Sequence, residues 1–313
     1  MNKIVDIMRI VSEEECYAAL REIRWEKGVR CPHCHSETIT RNGNSHKNPH
    51  CQKYVCGMCQ RNFDDLTSTI ISGHHQPLSV WFLMLYLMGL NLSNSQIARE
   101  LHIPDNVAHL MSSLIREEIE RKTNNTTILS GIIEMDEAYV VAGHKGYPDV
   151  VSRLERHGRR RRLKGARGRS TLLREKPPIF GMQQRGGDVI IRMLADVKRT
   201  SIQPLIERFV ERCSTVYTDE FEVYSNLWQL GYFHDTVCHN IEEYARDGDG
   251  DGRCEIHVNT IECVWSLLRS WLRPHRGVSQ EKLPCYLAFF QFVHNTRAHG
   301  RELFPSLLRT LLT

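Results

Sequence analysis

Two Cys-x-x-Cys pairs, Cys31 with Cys34 and Cys56 with Cys59, constrain this 313-residue chain more than any other feature. Pairs so spaced around a β-rich insert bring four thiolates to one tetrahedral ion, with no position left open for catalysis. The segment can bury little apolar area, so one structural Zn²⁺ should supply most of its stability. Cys51, His33, His35 and His50 lie near enough to be alternative ligands, or simply neighbours of the knuckles. Disulfides are the competing use for eleven cysteines. No basic leader with an apolar core opens the sequence, so the thiols read as reduced and the protein as cytoplasmic. The longest apolar run, residues 80 to 90, falls short of the roughly 20 residues that span a bilayer, so no membrane partner is expected.

Helical periods flank the cysteines. Residues 12 to 27 open with Ser12-x-x-Glu15, a capping-box pattern, and read as a short amphipathic helix. Residues 79 to 90 form an almost wholly apolar helix, best read as core. Residues 91 to 122 then read as helix, a short turn at Ile103-Pro104-Asp105, and helix. That is the outline of a helix-turn-helix, whose second helix enters a DNA major groove, or of an ordinary helical hairpin. Residues 123 to 130 are a short polar linker.

Three acidic stretches follow. In residues 131 to 140, GIIEMDEAYV, Ile132, Ile133, Val140 and Val141 suggest a buried strand, and period two puts Glu134, Asp136 and Ala138 on one face. A carboxylate there is costly unless paired, hydrogen-bonded or on a metal. Residues 214 to 224 hold a β-branched run ending at Asp219, where α/β folds commonly place ligands. In residues 255 to 279, Ile261, Val264, Trp265, Leu268 and Leu272 form the apolar stripe of a helix that Pro274 stops. Its opposite face carries Asn259, Glu262, Ser266, Arg269 and Arg273. One such face alone reads as solvated; three acids in this order read as hard oxygen ligands for Mg²⁺ or Mn²⁺.

The order EMDEAY, VYTDEF and HVNTIECVWSLLR resembles the catalytic core of DDE transposases, and most of all the zinc-ribbon insertion-sequence family related to eukaryotic Merlin elements. The resemblance covers nearly the whole chain. It implies an α/β ribonuclease H-like catalytic domain, a mixed five-stranded sheet with helices, preceded by a zinc ribbon and a helix-turn-helix-like region. On this division residues 1–28 are an N-terminal helix, 29–65 the ribbon, 66–124 the DNA-binding region and 131–313 the catalytic domain, with a basic insertion at 152–176. Asp136 and Asp219 match the two aspartates, Glu262 the third acid and Arg269 the basic residue after it. Some relatives carry asparagine as third ligand, and Asn259 lies one turn before Glu262; Glu262 is preferred because a charged ligand offsets more of the metal's charge. His239 and His257 also match family histidines. They would touch DNA, orient a ligand or satisfy backbone.

The remaining segments fit this outline. Residues 152 to 176 carry eleven Lys and Arg against Glu155 and Glu175, with Arg159, Arg160, Arg161, Arg162, Lys164, Arg167 and Arg169 at their centre. Net charge is only +4, so DNA affinity must come from such a patch, with Arg273 a further contact. A solvated linker or an RNA-binding tail are its other readings. Residues 177 to 197 form a hairpin about Gly186-Gly187, and 200 to 213 a helix. Residues 221 to 231 read as a short helix and 232 to 239 as a fifth strand. Asp247, Asp249 and Asp251 mimic the start of a calcium loop, but Val258 stands where its bidentate glutamate belongs. Arg297 and His299, on the last helix, are candidate backbone contacts.

The reading is a nucleoid-associated transposase that binds terminal inverted repeats and target duplex as a homodimer or larger, and cleaves and joins DNA with two Mg²⁺ or Mn²⁺ ions. Its rivals are a catalytically silent DNA-binding regulator and a ribonuclease H-like nuclease. Tyrosine-dependent nicking needs a histidine pair around an apolar residue, and His33-Cys34-His35 lies inside a zinc knuckle.

Overall fold

A computed structural model describes residues 12–123, 127–153, 175–238, 243–248 and 250–312. The chain divides into two compact units, Met1–Ile119 with Glu302–Thr313, and Glu120–Arg301.

In the first unit, helix α1 (Glu13–Arg24) begins where the Ser12 side chain accepts from the Glu15 amide. Three antiparallel strands follow, β1 (Ile39–Asn44), β2 (Gln52–Cys56) and β3 (Asn62–Asp64), in the order β1-β2-β3. Their core is small: Tyr54 and Phe63 stack at 5.1 Å between ring centroids, beside Cys31 and Cys56. Asp65, wholly buried, ties the sheet to α1. It accepts from Arg21 Nη1 at 2.9 Å, the Gln52 amide at 2.8 Å and the Tyr54 hydroxyl at 3.1 Å.

Helix α2 (Leu78–Gly89) is buried at every residue but Tyr86, as its apolar run requires. It lacks a local cap, and Glu13 of α1 supplies one by accepting from the Leu78 and Ser79 amides. Ser93 and Gln96 form a capping box for α3 (Asn94–Glu100), and α4 (Asp105–Thr123) follows a four-residue turn. The last helix of the chain, numbered below, also belongs to this unit, where its Phe304 ring meets Phe82 at 5.7 Å. The sequence division instead ran the catalytic segment to residue 313. An amphipathic stripe records that a helix has a core to meet, and not which core.

The second unit is built on β4 (Ile132–Tyr139), which leads through the short helix α5 (Pro148–Arg153) to the hairpin of β5 (Pro178–Gln184) and β6 (Val189–Met193). Gly186 takes φ +70° in the turn, a conformation glycine adopts without strain. Helix α6 (Arg199–Phe209) precedes β7 (Thr215–Asp219) and β8 (Phe233–Val237). The sheet runs β6-β5-β4-β7-β8, antiparallel across the hairpin and parallel from β4 to β8, so it is mixed and five-stranded. Between β7 and β8 the expected short helix is two 3₁₀ turns, Glu222–Tyr224 and Leu227–Leu230. Tyr224 and Leu227 are buried three residues apart, a spacing that suits three residues per turn.

A two-stranded ribbon, β9 (Ala245–Arg246) and β10 (Ile256–His257), leads into α7 (Asn259–Leu272) and α8 (Leu283–Ala298); the chain ends with α9 (Leu303–Leu312). Both sheet faces are covered. Ile133, Met135, Phe180, Met182 and Val216 join α6 in one core. Ala138, Ile179, Ile191 and Tyr217 join Ile261, Trp265 and Leu268 of α7 and Leu287 and Phe290 of α8 in the other. The alternation along β4 thus turns the side with Glu134 and Asp136 toward α7.

Candidate metal centres

The four knuckle cysteines meet. Their sulfur atoms all lie within 4.8 Å of one another, with Cys31 Sγ to Cys59 Sγ at 3.6 Å and Cys34 Sγ to Cys56 Sγ at 3.5 Å. Tetrahedral zinc with bonds of about 2.3 Å needs sulfurs about 3.8 Å apart, so the cluster fits that ion. Backbone amides support the thiolates: His33 N–H reaches Cys31 Sγ at 3.4 Å and Cys59 N–H reaches Cys56 Sγ at 3.5 Å. Cys51 is buried beside Tyr17 instead, and His33, His35 and His50 are outside the cluster.

The acids of the second unit come from two strands and a helix. The parallel ladder pairs Ile132 with Thr215, Ile133 with Val216 and Glu134 with Tyr217. Continued two residues further, that register would set Asp136 opposite Asp219. Helix α7, bearing Glu262, packs across β4 and β5. The Asp136 carboxyl is raised to about 6 by burial, and the negative charges of Asp219 and Glu262 push the same way. Against them, Trp265 donates its indole N–H to Asp136 Oδ2 at 2.8 Å. Three carboxylates therefore share one field, a donor set that hard divalent cations relieve. Among the described residues, their oxygens do not draw together within 4.8 Å as the thiolates do. Asn259 and Glu262 are both exposed on the first turns of α7, with Arg269 exposed further along it and Arg273 exposed at its C-cap.

Glu134, the other acid on that face of β4, is fully spent. It is 0 % exposed. Its Oε1 accepts from Arg185 Nε at 2.7 Å and Thr260 Oγ1 at 2.8 Å, and its Oε2 from the Thr260 and Ile261 amides at 2.7 and 3.0 Å. Helix α7 has no side-chain cap of its own at Val258, and this strand glutamate caps it. Arg185 also donates to the Glu255 and His257 carbonyls at 2.6 and 3.0 Å. His257 thus sits in a structural network with Nδ1 3.0 Å from Arg185 Nη2; burial and that guanidinium lower its pKa, and Glu134 opposes them.

Sequence reading missed Glu134 as a cap, Arg185 as its counter-ion and Trp265 as a donor, having placed Trp265 in the apolar stripe. Gly181, which pairs with Asp136 across the β4–β5 ladder, carried the one signal: a bare position where the indole lies. Asp247, Asp251 and Glu255 also place ligand atoms within 4.8 Å, but Asp247 accepts from the Gly250 and Gly252 amides of its own loop, and Asp249 lies outside the described residues. His299 bonds Asp188 at 2.8 Å. His239 and the basic run holding Arg159, Arg160, Arg161, Arg162, Lys164, Arg167 and Arg169 also lie outside the described residues. No described helix is long and apolar enough to cross a membrane.

Residues 128–295 match the family model of the ISXO2-like transposase domain, and residues 11–62 that of the transposase zinc-ribbon domain. A protein of the transposable element ISH50 of Halobacterium salinarum is 33 % identical over 313 residues, covering 99 % of this chain and all of that protein. A solved chain in the simian T-cell lymphotropic virus intasome with the PP2A regulatory subunit B56 gamma is 11 % identical, with a TM-score of 0.28 over 67 % of this chain and 68 % of that one.

Proposed function

Since the chain belongs to the ISXO2-like (IS1595) family of insertion-sequence transposases, zinc ribbon included, we propose that it cleaves its element's DNA ends and joins them to target DNA. The observation that carries this reading is the parallel pairing of β4 with β7 beneath α7, which puts the half-buried Asp136 carboxyl within the field of Asp219 and Glu262. On this reading the mixed sheet is ribonuclease H-like, and Asp136, Asp219 and Glu262 would hold a pair of Mg²⁺ or Mn²⁺ ions. Glu262 is favoured over Asn259 because a charged ligand offsets more of the metal's charge. Such ions supply activation of the attacking hydroxyl and stabilisation of the leaving oxygen in an in-line displacement.

The chain's own part is to hold three carboxylates on rigid elements and to spend Glu134 elsewhere. No protein nucleophile is required. Arg269, two turns beyond Glu262, and Arg273 would hold phosphates, aided by the basic insertion. The ribbon and the α3–α4 pair would recognise the terminal inverted repeats, and synapsis of two ends calls for a homodimer or larger assembly, at the nucleoid.

The test is joining of a labelled terminal-repeat end to a plasmid in Mg²⁺ or Mn²⁺. Asp136→Ala, Asp219→Ala and Glu262→Ala should each abolish joining while leaving end binding intact. Normal joining by Glu262→Ala, with loss in Asn259→Ala, would move the third ligand to Asn259. Specific end binding with no joining by the native chain would make it a DNA-binding regulator; cleavage of RNA alone would make it a nuclease.

A further inference from the structure

Helix α7 is fixed to strand β4 at two points that bracket Glu262. At its first turn, Glu134 accepts from the Thr260 amide, the Thr260 hydroxyl and the Ile261 amide. One turn after Glu262, Trp265 donates to Asp136 Oδ2 at 2.8 Å. Glu134 and Asp136 are two residues apart on one face of the strand, so a single stretch of β4 holds both a ligand and the helix that carries another. The fit is close, because Gly181 on the neighbouring strand leaves no room for a Cβ beneath the Trp265 ring and Ile261.

The consequences for the two acids differ. All four acceptor directions of Glu134 are occupied, so it has no capacity left for an ion. Asp136 accepts from the indole at Oδ2 and from the Glu137 backbone amide, two donors that hold the carboxylate's plane; a carboxylate's four acceptor directions leave others for a cation. Apolar packing alone lets a helix slide by fractions of an ångström; two directional bonds on either side of Glu262 remove that freedom along the strand.

We propose that Trp265 and Glu134 are positioning residues of the metal centre: Trp265 orients the Asp136 carboxylate, and Glu134 sets the register of α7, and so of Glu262, against β4. The proposal rests on the reading of Asp136, Asp219 and Glu262 as metal ligands. Neither residue touches DNA or the reacting atoms in this scheme. Both act through the acids they hold.

The experiment is Mn²⁺ binding to the zinc-loaded full-length protein, followed by loss of the free-ion electron paramagnetic resonance signal, without DNA or turnover. Trp265→Phe keeps the ring and removes only the donor. It should bind Mn²⁺ roughly 10-fold more weakly, as loss of a partner behind a ligand commonly does, with zinc content and DNA-end affinity unchanged. Glu134→Gln should shift binding the same way. Because it leaves Arg185 without its carboxylate and could fail to fold, Trp265→Phe carries the decision. Leu287→Ala opens a cavity in the same core without touching either bond; it should lower the melting temperature and leave Mn²⁺ binding as it was. Coincident titrations for Trp265→Phe and the native chain would overturn the proposal, as would an equal loss in Leu287→Ala. If the native chain binds no more Mn²⁺ than Asp136→Ala, the reading of the three acids fails first, and the proposal with it.

Discussion

Gly181 lies directly beneath Trp265: a Cβ on the glycine would stand 2.4 Å from the indole Cη2 and 2.8 Å from Ile261 Cδ1. The glycine's φ is ordinary, so what the position demands is space. Gly181→Ala should therefore lift the indole from Asp136 and shift α7 outward. Overpacking of this kind costs about 1–3 kcal/mol, and the melting temperature should fall accordingly. Mn²⁺ binding should weaken alongside it. A variant with native stability and native Mn²⁺ binding would mean that the ring moves aside freely, and that the close fit has no role.

The knuckles give a simpler expectation. Elemental analysis of protein purified without chelator should find one zinc per chain. Cys31→Ser or Cys59→Ser should remove it and weaken specific end binding, since the small core around Tyr54 and Phe63 cannot hold the ribbon alone. Cys51→Ser should keep the zinc, because that thiol lies beside Tyr17 and outside the four-sulfur cluster. Zinc lost from Cys51→Ser and retained in Cys31→Ser would reverse the assignment.

How far the sequence spoke depended on the distance between partners. The four cysteines form two local pairs, and spacing alone announced them. Asp136 and Asp219 stand in β-rich runs that local pattern could mark as strands, while the parallel pairing of those strands is a property of the sheet that the runs alone do not announce. The cap on α7 was invisible for the opposite reason: Glu134 and Thr260 are 126 residues apart, and nothing local at Val258 marks where the cap comes from. Trp265 has an apolar body and one polar atom, and helical periodicity registers only the body. Helix α9 shows the same limit, because its stripe of Leu307, Leu308 and Leu311 would suit either unit's core.

His294 supplies a dependence on pH. It stacks on Phe290 at 5.9 Å, and burial holds its pKa below the usual 6.5 against the pull of Asp188, which is itself bonded to His299. A histidine whose folded pKa is depressed takes up its proton first in the unfolded chain. Stability is then fully present above about 6.5 and is lost as pH falls through the folded value. Between pH 7.5 and 5.5 the native chain should lose more melting temperature than His294→Phe, which keeps the stacked ring and cannot titrate. Equal losses in the two proteins would show that the acid response arises elsewhere.

The arginine run, Arg159 to Arg162, follows β4 in the chain and carries the strongest local charge in the sequence. Four adjacent guanidinium groups repel one another in water, and a duplex backbone relieves that repulsion while releasing its own counterions. Phosphates report no sequence, so gripping them should add affinity without adding discrimination. Replacing all four residues with alanine should weaken binding to terminal-repeat and random duplex by the same factor. The slope of log affinity against log salt should become shallower by roughly 0.9 for each phosphate no longer neutralised. Strand transfer should fall at moderate salt and recover in part at low salt, where the remaining cations are less screened. Arg269→Ala with Arg273→Ala provides the comparison, since Arg269 is exposed on the helix that carries Glu262 and Arg273 is exposed at its C-cap. If the salt slope changes only in that pair, the phosphate grip belongs to α7 and the arginine run is a solvated linker.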